Sequence, residues 1–248
     1  MKPYTLIFGD CLEKMKDIED ASIDMILADL PYGATRNEWD IPINLTLLWK
    51  QYERIIKPNG AICLWAQTPF DKVLGASNLK LLRYEWIIEK TKPTGHLNAK
   101  KMPMKAHENM LVFYKKLPTY NPQMTTGHKP VHHYTKHTTD GKNYGKTRKG
   151  IRGGGSTTRY PRDVLRFKWD TQKSALTSTQ KPVAACAYFI KTYTNENEVV
   201  LDNCMGSGST GIACLATNRK FIGIEMDMDC FVTASCRIDN YYHKLHQK

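Results

Sequence analysis

Val199-Val200-Leu201-Asp202 runs directly into Asn203-Cys204-Met205-Gly206-Ser207-Gly208-Ser209-Thr210-Gly211, and a second apolar run, residues 221–225, ends on Glu225, 19 residues after Gly206. The order is strand, glycine-rich turn, helix, strand, carboxylate. Glycines permit the tight turn and let a ligand approach the backbone, and the helix that follows offers unpaired N–H groups. A carboxylate closing the second strand is placed to accept hydrogen bonds from ribose hydroxyls. A lone G-x-G-x-x-G is weak, but in this setting it predicts an adenosine-bearing ligand. The pattern itself serves dinucleotides and S-adenosylmethionine alike. Two features favour the latter. Asp202 stands four residues before Gly206, where it suits a cationic amino group better than a pyrophosphate. Only about 23 residues follow Glu225, too few for the second half of a dinucleotide fold. The candidate cofactor residues here are Asp202, Gly206, Ser207, Gly208, Ser209, Thr210 and Glu225.

Upstream, strand patterns at residues 4–8, 23–29, 61–66, 84–89 and 109–114 alternate with helical patterns at 11–17, 43–57 and from about Pro69. Lys57-Pro58-Asn59-Gly60 is a stop signal for the second helix. This alternation predicts an α/β fold of the Rossmann-like kind, a mostly parallel sheet with helices on both faces. The periodicity fades over residues 115–175 and returns at Lys181 with a helix to about Thr194. The expected organisation is therefore one α/β domain in two parts, 1–114 and 176–248, interrupted by an insertion at 115–175. Within the insertion, Gly153-Gly154-Gly155 reads as a flexible hinge, since no strand precedes it as a phosphate cradle requires.

Across 248 residues, 41% apolar and 24% charged content excludes a disordered or fibrous chain. No apolar stretch reaches the ~18 residues of a membrane helix, and the apolar run near the N-terminus is too short for a signal peptide. Seven cysteines without a C-x-x-C pair suit reduced thiols in a cytoplasm. His128, His132, His133 and His137 have no Cys or acid at ligand spacing, so no metal site is expected. The charge is segregated. Residues 90–175 hold 19 Lys/Arg against four acids, and 14 of those bases fall within 115–175. A surface of that kind fits a polyanion, whose condensed counterions it releases.

The strand at residues 23–28 ends in Asp29-Leu30-Pro31-Tyr32-Gly33. Ligands of open α/β sheets bind beyond the carboxyl ends of strands. Pro31 biases Leu30 to an extended conformation, which can fix the Leu30 carbonyl relative to the Asp29 carboxylate. Two acceptors and an aromatic ring suit an exocyclic amine on a flat base. A strand-ending turn with a solvated Asp and a packed Tyr fits the tetrapeptide as well.

Asp29-Leu30-Pro31-Tyr32 resembles the Asp-Pro-Pro-Tyr catalytic motif of amino-methylating DNA methyltransferases, and Asn203 to Gly208 resembles their S-adenosylmethionine motif. The catalytic motif comes first and a basic region lies between, which is similar to the β class. Gly9-Asp10-Cys11 resembles the segment contacting the cofactor adenine. Thr179-Gln180-Lys181-Pro182-Val183 resembles the one opening the helix over the methionine end. Asn37-x-Trp39-Asp40 and His107-Glu108-Asn109 resemble prophage-type members. Leu30 stands where the family has its first proline, and Thr177-Ser178 where it commonly has His-Pro.

The resemblance implies methyl transfer from S-adenosylmethionine to adenine N6 in double-stranded DNA, on a base flipped from the duplex. Catalytic positions would be Asp29, Leu30, Pro31 and Tyr32. Asp10, Cys11, Asp29 and Lys181 would join the cofactor residues. No cysteine nucleophile is required. DNA contacts are expected from Arg36 and Trp39, in a lid at 33–40, where simple packing of Trp39 fits equally. Further contacts are expected from Lys146, Arg148, Lys149, Arg152 and Arg159, the last two as base readers. N4-cytosine methylation, an RNA or protein methyltransferase, and an inactive DNA-binding relative are the alternatives. A homodimer and a restriction endonuclease partner are left open.

Overall fold

The computed structural model describes residues 2–31, 42–136, 150–168 and 180–247. Tyr32, Arg36, Trp39, Lys146, Arg148, Lys149, His137 and Thr177-Ser178 lie outside these. The chain divides into two compact units, Met1–Asn121 with Asp163–Lys248, and Pro122–Arg162.

The first unit carries an eight-stranded sheet. In chain order its strands are β1 (Tyr4–Phe8), β2 (Ile23–Asp29), β3 (Ile56–Ala66), β4 (Leu82–Thr94), β5 (Lys105–Phe113), β8 (Val164–Phe167), β9 (Val199–Asp202) and β10 (Lys220–Glu225). Their spatial order is β1-β10-β9-β2-β3-β5-β4-β8. The β3–β5 and β5–β4 pairs are antiparallel and the other neighbours parallel, as a mostly parallel sheet was expected to be. Helices α1 (Cys11–Lys14), α2 (Leu45–Ile55) and α3 (Phe70–Ser77) belong to one face, and α4 (Val183–Tyr193), α5 (Ser209–Ala216) and α6 (Met228–His246) to the other.

Strand alternation explains the two cores. Met25, Leu27, Ala61, Cys63 and Trp65 pack with Ala185, Phe189, Ile212 and Ile238 on the α4–α6 side. Ile26, Ala28, Ile62, Leu64 and Ala66 pack with Leu48, Tyr52, Ile55 and Leu74 on the α2–α3 side. Two faces buried at once require continuous apolar runs, which β2 has at residues 25–28 and β3 at residues 61–66. Gly211 lies where α5 touches α6: an added Cβ would meet Ile238 Cδ1 at 2.5 Å and Phe221 Cε1 at 2.8 Å. Gly211→Ala is therefore expected to lower stability by about 1–3 kcal/mol through overpacking, although alanine is the better helix former. A denaturant midpoint checks this.

The structure bears out the stop of the second helix and corrects two other expectations. Helix α2 does stop before Lys57-Pro58-Asn59-Gly60, but these residues form no separate loop. They lie in β3 as a bulge, where five residues advance from Ile56 to Ala61 against two from Ile23 to Met25. Part of the region expected to be an insertion, β8, pairs in parallel with β4 at the edge of the main sheet. The glycine run is not a loose hinge. In the second unit, β6 (Tyr134–Thr135) pairs with β7 (Arg152–Gly153), and the Gly155 N–H donates to the Val131 carbonyl at 2.8 Å. A Cβ on Gly153 would meet the Tyr134 ring at 2.6 Å, and one on Gly154 the His133 backbone at 2.5 Å, so close packing is what these glycines serve.

Candidate active site

Three adjacent parallel strands, β10, β9 and β2, each end on a carboxylate: Glu225, Asp202 and Asp29. All three lie at the carboxyl edge of the sheet. Asp202 is buried, and its Oδ1 accepts from the Cys204 N–H at 3.1 Å. Burial pushes its carboxyl up to about 7. Hydrogen bonds from the Thr210 hydroxyl and the Cys204 N–H oppose that rise, and the charges of Asp29 and Glu225 add to it. Glu225 binds the glycine turn directly. Its Oε2 accepts from the Gly206 N–H at 2.8 Å, and its Oε1 from the Met226 and Asp227 N–H groups at 2.9 Å each.

The turn has the backbone that its glycines predict. Gly206 and Gly208 have φ of 49° and 78°, the left-handed region where side chains are strained. Among the described residues, and apart from its two chain neighbours, no heavy atom lies within 4 Å of a Cβ built on Gly206. Below the turn, the buried Tyr52 hydroxyl donates to Asn203 Oδ1 at 2.5 Å. From α6, Arg237 Nη1 donates to the Ser207 carbonyl at 2.9 Å and to Ser209 Oγ at 3.2 Å. Tyr52 and Arg237 are supports that sequence reasoning did not identify. Asp10 caps α1, accepting from the Leu12 N–H at 2.7 Å, and Cys11 is buried beside it.

Asp29 lies at the head of a buried ion network. Lys181 Nζ is 2.7 Å from Asp29 Oδ2 and 3.1 Å from Glu108 Oε2. Glu108 Oε1 is 2.7 Å from Lys90 Nζ and accepts from Gln67 Nε2 at 2.7 Å. Burial alone would lower the Lys181 pKa, but the two carboxylates hold it well above the ordinary value. Burial alone would raise that of Glu108, but the two ammonium groups hold it below. Lys181 was expected among the cofactor residues. The structure pairs it with Asp29, one of the expected catalytic positions. Leu30 is buried in the core, which fixes the chain where its carbonyl follows Asp29. Burial raises the Cys63 thiol, and that of Cys186 to about 12, so neither offers a thiolate.

In the second unit, Arg159 Nη1 donates to the Ser156 and Thr158 carbonyls at 2.9 Å each, and Nη2 to the Lys129 carbonyl at 2.6 Å. That guanidinium is part of its own loop framework, which argues against its expected role on a base edge. Arg152 lies exposed on β7. Among the described residues, no helix is long and apolar enough to cross a membrane.

The chain that carries these three carboxylates and the glycine turn is similar to known proteins along most of its length. A family model described as DNA methylase, covering N6 and N4 enzymes, matches residues 23–234. The chain belongs to this N6/N4 DNA methylase family. It is 26% identical over 256 residues to the DNA adenine methyltransferase YhdJ of Escherichia coli K12, covering 96% of this chain and 84% of the relative. Its fold is shared with the crystal structure of the M1.HpyAVI–SAM complex (23% identity, TM-score 0.65, 95% of this chain and 99% of that one). It is also shared with the cytosine-N4-specific PvuII DNA methyltransferase (13% identity, TM-score 0.69, 98% and 93%).

Proposed function

We propose that this chain transfers a methyl group from S-adenosylmethionine to the exocyclic N6 of adenine in double-stranded DNA. The observation that carries this reading is the row of carboxylates Glu225, Asp202 and Asp29 on three adjacent strand ends. The cofactor has a cationic sulfonium and an ammonium group, whereas a dinucleotide would bring pyrophosphate against this negative edge. Asp202, buried and with its pKa raised to about 7, gains from a cation that favours its charged form. Asp202 would hold the cofactor's amino group. Glu225, already fixed by three backbone N–H groups, would accept from the ribose, and Gly206 to Thr210 would line the approach. Asp10 and Cys11 would flank the adenine, as the family resemblance implies.

When bound, S-adenosylmethionine supplies an electrophilic methyl on sulfur. The chain's own part is positioning and electrostatics. The Asp29 carboxylate and the Leu30 carbonyl would accept the two N–H bonds of the adenine amine. That holds its lone pair in line and stabilises the positive charge that develops on nitrogen. Lys181 fixes Asp29 from behind. Pro31 restrains the turn, and Tyr32 would stack on the flipped base. Residues 115–175, with Lys146, Arg148, Lys149 and Arg152, would supply DNA contacts, mainly to phosphate. Adenine is favoured over cytosine by Asp29 opening the tetrapeptide and by the named activity of the Escherichia coli relative.

S-adenosylmethionine, and not NAD, is expected to raise the melting temperature, and Glu225→Ala to shrink that rise by loosening Gly206 and removing the ribose contact. Thermal melting with each ligand checks it. Protection by NAD alone would refute the cofactor assignment. The function itself is tested by expressing the chain in a host lacking DNA methylation and sequencing the genome with modification detection. N6-methyladenine in one sequence context is expected. N4-methylcytosine, or an unmodified genome, would overturn the reading.

A further inference from the structure

Lys90, Glu108, Lys181 and Asp29 form a line of alternating charges. It starts inside the sheet on β4, crosses β5, passes through the segment before α4 and ends on β2. The side chains of Lys90, Glu108 and Lys181 are 7%, 5% and 12% exposed, and that of Asp29 27%. Taking such groups out of water is costly, and apolar side chains of similar volume serve stability at least as well. The line ends on the carboxylate that, in the reading above, orients the substrate amine. Glu108 is its pivot. One carboxyl oxygen is fixed by Lys90 and Gln67, at 2.7 Å each, and the other faces Lys181 at 3.1 Å. The Lys181 ammonium also lies 5.4 Å from the centre of the Trp65 ring, and Trp65 is the register partner of Asp29. The ammonium is thus held from three sides.

We propose that Glu108 is a positioning residue for methyl transfer: anchored by Lys90 and Gln67, it fixes the Lys181 ammonium, which in turn holds the Asp29 carboxylate in one orientation. This rests on the proposed function. Glu108 would touch neither cofactor nor base, so its loss falls on the chemical step and not on binding. A displacement of about 1 Å at a reacting group can cost on the order of 10²-fold in rate.

Two variants of the full-length chain test this beside the wild type. Glu108→Asp keeps the charge but shortens the side chain by one methylene. Glu108→Gln with Lys90→Met removes one charge of each sign, so the buried set stays neutral. Each is read for single-turnover methyl transfer to duplex DNA, S-adenosylmethionine affinity, DNA affinity and melting temperature. The expected result is a loss of at least about tenfold in the transfer rate for both, with both affinities within about twofold of wild type. Lys181→Arg, which can still bridge Asp29 and Glu108, is expected to keep more activity than Lys181→Met. Wild-type rates in both Glu108 variants would overturn the proposal, leaving Glu108 as a counter-charge for buried lysines. So would a loss of affinity or of fold that matches the loss of rate. An inactive wild type would instead refute the proposed function, and this inference with it.

Discussion

Asp29→Ala is expected to reduce methyl transfer by about 10²-fold or more while leaving the chain folded. The magnitude is that of losing one preorganised group aimed at developing charge. Here that group also sets the amine's direction. The fold should tolerate the change, because Asp29 is the last residue of β2 and its side chain is partly exposed. Lys181 keeps Glu108 as a partner at 3.1 Å, so no lone buried ammonium is created. Asp29→Asn retains one acceptor oxygen and should lose less. Single-turnover transfer and near-ultraviolet circular dichroism measure the two halves of this prediction. Near wild-type turnover in Asp29→Ala would remove the basis of the mechanism.

The second large effect concerns pH. Burial raises the Asp202 carboxyl to about 7. A carboxyl that binds its proton more tightly when folded than when unfolded makes stability fall as pH rises. The window runs from the ordinary carboxyl range to about 7. A cation bound beside Asp202 reverses the preference and favours the charged form. Binding of S-adenosylmethionine should therefore release protons near neutrality. Its affinity should weaken as pH falls below about 7, by up to tenfold per unit. Asp202→Asn should abolish both the proton release and this slope, and bind the cofactor weakly at every pH. Calorimetry in buffers of different ionisation enthalpy reads the release directly. A pH-independent affinity between 5.5 and 8 would place the cofactor's charge away from Asp202.

The legible parts of the sequence were those with local physics. Short apolar runs closed by an acid at residues 29, 202 and 225 gave strands whose ends form the candidate site. The two glycines marked a tight turn, and the structure has φ of 49° and 78° there. What escaped was non-local. β8 is four residues with alternating exposure at a sheet edge, within polar sequence, and its pairing with β4 joins positions far apart in the chain. Nothing near Lys57-Pro58-Asn59-Gly60 tells a bulge from a loop, because the outcome depends on the register with β2.

The ion network is the clearest case. Neither Lys90 nor Glu108 was given a role from the sequence, and only the antiparallel β4–β5 pair brings Lys90 to Glu108. One signal was available. Glu108 is the sole acid between Lys90 and Asp140. An isolated carboxylate beside an apolar run, in a segment of that positive charge, calls for a specific partner. Lys181 was assigned to the cofactor by resemblance to a motif, which names a segment and leaves the direction of its ammonium open.

The most direct test of the central claim is to incubate the purified chain with duplex DNA and methyl-labelled S-adenosylmethionine, digest the DNA to nucleosides and separate them. The label is predicted in N6-methyldeoxyadenosine, and it should be absent when Asp29→Ala replaces the wild type. Label in N4-methyldeoxycytidine, no label in the DNA, or equal labelling with Asp29→Ala would contradict the account.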